Sequence, residues 1–68
     1  MKVREAIEIE IRIAERMVED IEKEIDTLTR MENSTGVKTT TMLEGYIDMK
    51  NKYEYTSDIL KNLLKNED

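Results

Sequence analysis

Cysteine, histidine, proline, tryptophan and phenylalanine are all absent from this 68-residue chain, and glycine occurs twice. Each absence closes a route. Without cysteine there is no disulfide and no zinc–thiolate site. Without histidine or cysteine, the side chains that most often act as general base and nucleophile are missing, so enzymatic chemistry is not expected. No run of about 18 apolar residues is present, so no membrane span is expected. Nothing like a signal h-region follows Met1–Glu5, so no secretory signal is expected. The missing cysteines fit a reducing, cytoplasmic setting.

What the chain has instead is charge. Charged residues make up 40% of it, with 16 acids against 11 bases and a net charge of −5. The basic residues, Arg4, Arg12, Arg16, Lys23 and Arg30 among them, are scattered among acids. No basic stripe forms to neutralise phosphates, so nucleic acid is not an expected partner. Proline-free, charge-rich composition with helical periodicity is the profile of a coiled coil or long-helix protein. The length allows one domain over 1–68, and such a short chain buries too little surface to be comfortably stable alone. With no disulfide or metal as a staple, oligomerisation is the one left.

The periodicity is carried by Ile7, Ile11, Ala14, Val18, Ile21, Ile25 and Leu28, whose spacing alternates 4 and 3 through three heptads. That spacing keeps one apolar seam on one side of a helix, predicted over about 3–32. Ile7–Ile13 also alternates like a strand, but the heptad runs through it unbroken among strong helix formers. A turn is expected over 33–40, with Gly36 or Asn33 able to take the left-handed conformation that ends a helix. A second helix follows over about 41–65, then a short frayed end. Thr41 and Glu44 match a capping box, with Thr39 as the alternative cap. Met42, Tyr46, Met49, Tyr53, Thr56, Leu60 and Leu63 repeat the 4, 3 spacing. Folding back at the turn pairs Leu28 with Met42 and Ile7 with Leu63, and puts the small residues Ala14 and Thr56 in one layer. The expected fold is an all-α antiparallel helical hairpin.

A two-helix hairpin needs only its seam, and this chain has apolar residues to spare. Ile9, Ile13 and Met17 on the first helix and Tyr55 and Ile59 on the second are displaced from the seam in one rotational sense. They are expected to form one patch that joins copies of the chain into a four-helix bundle, a dimer or higher. The same patch can serve instead as a docking site for a second protein. The opposite flank of the first helix carries Glu8, Glu15, Glu19, Glu22 and Asp26.

Two other groupings carry possible chemistry. Lys38, Thr39, Thr40 and Thr41 supply an ammonium, hydroxyls and helix N-terminal amides, and Tyr46, Lys50 and Tyr53 follow on the next turns. Together they suit an anionic small molecule such as a nucleotide. Gly45, one turn into the helix, fits close approach by a ligand or another backbone. Asp20, Glu24 and Asp48 gather oxygen ligands, but such proximity is expected by chance in so charged a chain, and no metal or cofactor is expected. The functional expectation is a non-enzymatic acidic regulator or inhibitor that binds another protein, a type often encoded by phages and mobile elements. The alternative is an oligomeric sponge for an anionic ligand.

Overall fold

Two helices account for nearly all of the chain: α1, Val3–Thr35, and α2, Thr40–Glu67. The structure is a computed structural model that describes residues 2–67. The helices pack against each other as an antiparallel hairpin, 51 Å long and 16 by 13 Å across. The length is that of α1 itself, whose 33 residues rise about 1.5 Å each. The radius of gyration is 15.7 Å, well above the roughly 11 Å of a globular domain of this length.

α1 ends three residues later than its apolar seam suggests. Gly36 stops it, with φ at 74° and its N–H donating to the Glu32 carbonyl at 2.8 Å. A side chain at that φ would strain the backbone, so glycine suits the position. The Thr35 hydroxyl donates to the Met31 carbonyl at 2.8 Å and accepts the Val37 N–H at 3.3 Å. Gly36 to Thr39 lie outside both helices. Thr39 then starts α2, its carbonyl accepting the Leu43 N–H at 2.9 Å. Thr41 is already inside the helix, so it cannot act as the N-cap partner of Glu44. Instead the Thr39 N–H donates to the Glu32 carboxylate at 3.1 Å, across the connector. Asn33 is helical, and Gly36 alone among the described residues has a positive φ.

The α1 seam is the one its sequence predicts. Ile11, Ala14, Ile21 and Leu28 are buried, and Ile7, Val18 and Ile25 are half-buried. The α2 seam is a different stripe from the one expected. Met42, Met49, Thr56 and Leu63 are exposed, and Leu43, Lys50, Ser57 and Leu64 take their places beside Tyr46, Tyr53 and Leu60. At 100° per residue this turns the packed face of α2 by about 60°.

Counted along both helices from the Glu32–Thr39 hydrogen bond, the covered positions align in eight levels: Glu32 with Thr39, Leu28 with Leu43, Ile25 with Tyr46, Ile21 with Lys50, Val18 with Tyr53, Ala14 with Ser57, Ile11 with Leu60, and Ile7 with Leu64. Ile25–Tyr46, Val18–Tyr53 and Ile11–Leu60 are as expected, the other four pairs move by one residue on α2, and the small residue that shares a level with Ala14 is Ser57. Thr56 faces outward and bonds the Lys52 carbonyl at 2.9 Å. The connector is the physical reason. Four residues between Thr35 and Thr40, tied by Glu32 to Thr39, set where α2 begins, and that choice fixes every later level.

Burial is unequal as a result. Among the described residues, every buried apolar side chain belongs to α1. The other buried residues are polar, Thr39 of the connector and Ser57 of α2, and neither hydroxyl has a hydrogen-bond partner. Such groups stabilise less than an apolar side chain would.

Candidate interaction surface

Beyond the seam, the two long sides of the hairpin differ. One side is braced by charge. Lys50 lies on the α2 seam, half-buried, and its ammonium reaches out to Glu22 at 3.8 Å and Glu54 at 3.7 Å. Its methylene stem covers the seam while the charge stays in water. Lys61 meets Glu15 at 4.0 Å, reaching toward the Ser57–Ala14 level because side chains lean toward the N-terminus of their helix. Arg4 pairs with Glu8 and Arg30 with Asp26, each at 3.5 Å. So four of the five acids on the acidic flank of α1 face a cation, and two of those cations come from α2. The flank acts as a brace between the helices, though each exposed pair contributes only about 0.2–1 kcal/mol.

The other side is richer in apolar residues, with Lys52 of α2 and Asp20 of α1 among them. On α2, Met42 is 55% exposed, Met49 41%, Ile59 42% and Leu63 47%. With Gly45, Lys52, Thr56 and Asn66 they form a second stripe of alternating 3 and 4 spacing, beside the seam. Met42, Gly45, Tyr46 and Met49 line a shallow apolar depression on it. A Cβ added at Gly45 would meet nothing within 4 Å, so glycine here leaves the depression open. From α1, half-buried Met17 and exposed Ile13 and Met31 lie on this same side.

The expected patch is therefore redrawn. Ile13, Met17 and Ile59 belong to the apolar side. Ile9 and Tyr55, the latter 68% exposed, lie on the backs of their helices, nearly opposite the seam. Sequence reasoning missed Met42, Met49 and Leu63 as surface residues because it had spent them on the seam. The available signal was that α2 carries two helical stripes with Tyr46, Tyr53 and Leu60 in common.

The proposed anion-binding residues are spread out. Lys38, Thr40 and Thr41 are exposed at the connector end, while Thr39 is buried. Tyr46, Lys50 and Tyr53 follow along the half-buried seam, so Lys50 lies about 15 Å along the helix from Thr40. The Lys50 ammonium already faces two carboxylates. The hairpin alone does not gather these residues into one pocket. Asp20, Glu24 and Asp48 are exposed, and among the described residues no three candidate ligands group as a metal site. No helix among the described residues is long and apolar enough to cross a membrane.

Compared with known proteins, the chain stands apart. It matches no family model, no curated protein and no solved structure. The reading of its function rests on the surface just described.

Proposed function

We propose that the protein is a non-enzymatic interaction module. Its hairpin assembles with copies of itself into a helical bundle through the apolar side, and the assembled surface regulates or inhibits another protein by occupying it. The observation that carries this reading is the uncovered apolar side, on which Met42, Met49, Ile59 and Leu63 are each two-fifths exposed or more. An exposed stripe this rich in large apolar side chains marks an association site. The sequence supports the non-enzymatic part, since it holds no histidine or cysteine. The net charge of −5 favours a partner with a basic surface.

Native mass spectrometry of the purified protein tests the assembly. The expected masses are integral multiples of 8.0 kDa. Ile13→Glu, on the apolar side and off the seam, should shift the population to monomer while circular dichroism still reports helix. A wild-type chain that stays monomeric at micromolar concentration overturns the reading. For the regulated protein, capture that weakens steeply with added salt is expected of an acidic surface, and capture insensitive to salt removes the charge argument.

A further inference from the structure

Resting on that reading, we propose that the occupant of the apolar side is a second copy of the chain, seated with its α2 antiparallel to this α2 and its Leu63 in the depression at Gly45. Area is the first argument. The chain exposes 5457 Å², whereas a compact monomer of its mass exposes about 4,450 Å². The excess of roughly 1,000 Å² is close to the ~800 Å² that each partner covers in a standard interface.

The shape of the stripe then selects the occupant. Met42, Gly45, Tyr46 and Met49 stand at i, i+3, i+4 and i+7, the four corners of a hole that accepts one side chain from a facing helix. The stripe is self-complementary when reversed. With Gly45 set opposite Leu63 of the second copy, Met49 falls opposite its Ile59, Lys52 opposite its Thr56, and Met42 opposite its Asn66 at the rim. A large side chain meets the glycine, two apolar side chains meet each other, the lysine meets a small residue, and the one apolar–polar pair lies at the two ends of the contact. By symmetry each pairing occurs twice, as an isologous two-fold contact requires. Sliding the copies by one heptad sets Met49 against Lys52 in one direction and Leu63 against Lys52 in the other, and in both leaves Leu63 without an apolar partner. The two-fold axis passes at the level of residue 54, which is also the level of Met17 on α1, so Met17 closes the side of the contact.

Because the chain has no cysteine, single cysteines report this contact cleanly. Gly45→Cys and Leu63→Cys chains, mixed and oxidised, should give a cross-linked heterodimer of two 8.0 kDa chains. Neither variant alone should bridge, because like residues lie about 27 Å apart along antiparallel helices. Self-bridging of Gly45→Cys means parallel packing and overturns the proposal. A dimer by native mass spectrometry that never bridges in the mixture places the interface elsewhere, which overturns the proposal and leaves the assembly reading standing. A monomer overturns both. Gly45→Leu is the second test. Leucine is the better helix former, so helicity should hold or rise while the filled hole raises the dimer Kd about tenfold or more. An unchanged Kd overturns the proposal.

Discussion

The two helices meet the same interface with very different surfaces. α1 offers isoleucine, alanine, valine and leucine at every seam position from Ile7 to Leu28, whereas α2 offers Leu43, Lys50, Ser57 and Leu64 alternating with Tyr46, Tyr53 and Leu60. α1 supplies all of the buried apolar side chains and α2 supplies none. The helix with the better stripe turned outward is α2, whose Met42, Met49 and Leu63 remain uncovered. The contrast teaches that hydrophobicity nominates seams and the connector chooses between them. α1 has one candidate, so the choice is forced. α2 has two that share three residues, and closing the turn through four residues selects the more polar one.

The sharpest way to break this contrast is at one level with two unequal members. Ile21→Ala removes a buried side chain from α1 and should cost about 2–5 kcal/mol. Lys50→Ala, at the same level on α2, should cost less than about 1 kcal/mol, since it gives up exposed ion pairs and part of a methylene stem. Urea unfolding followed by circular dichroism reads both. Equal losses would show that α2 contributes as much to the core as α1.

A double-mutant cycle sharpens the register. Ala14→Leu should destabilise by about 1–3 kcal/mol through overpacking. Adding Ser57→Gly should recover part of that, with a coupling of about 0.5 kcal/mol or more, because residues at one level interact. Thr56→Gly has a comparable cost to the helix and should couple to Ala14→Leu by less than about 0.5 kcal/mol. Coupling at Thr56 in place of Ser57 would restore the register read from hydrophobicity alone.

A last effect belongs to the turn that does the choosing. Gly36→Ala puts a side chain at φ 74° and should cost about 1–2 kcal/mol. No neighbour lies within 4 Å of the added Cβ, so the cost is conformational and not steric contact with another residue. Thermal unfolding that shows no change would mean that the chain turns some other way.

Much of this architecture was legible beforehand, and the reasons are specific. The hairpin and the α1 seam follow from an unbroken heptad that outweighs the strand-like alternation of Ile7–Ile13, and the left-handed end of α1 falls at Gly36, one of the two positions, with Asn33, that the turn offered. The face of α2 was not legible, because methionine and leucine make a better stripe on paper than lysine and serine do. Hydropathy ranks stripes without knowing where the turn will let the helix begin. For the candidate surface, Ile13, Met17 and Ile59 survived because they lie far enough round their helices to stay outside either seam. Tyr55 did not, since a rotation of α2 by about 60° carries it onto the back of its helix, and Ile9 lies about 150° from an α1 seam that did not move.

The Thr56 hydroxyl bears on the apolar side in a further way. Thr56 lies in its stripe, and the hydroxyl is bonded to the carbonyl four residues earlier, at 2.9 Å. A hydroxyl turned onto its own backbone presents its methyl group outward. Covering such a residue strips little water from a polar atom, so the usual desolvation penalty is largely avoided. To an approaching helix this position behaves much like valine. The side of the hairpin that looks interrupted in the sequence is, in its hydration, closer to continuous.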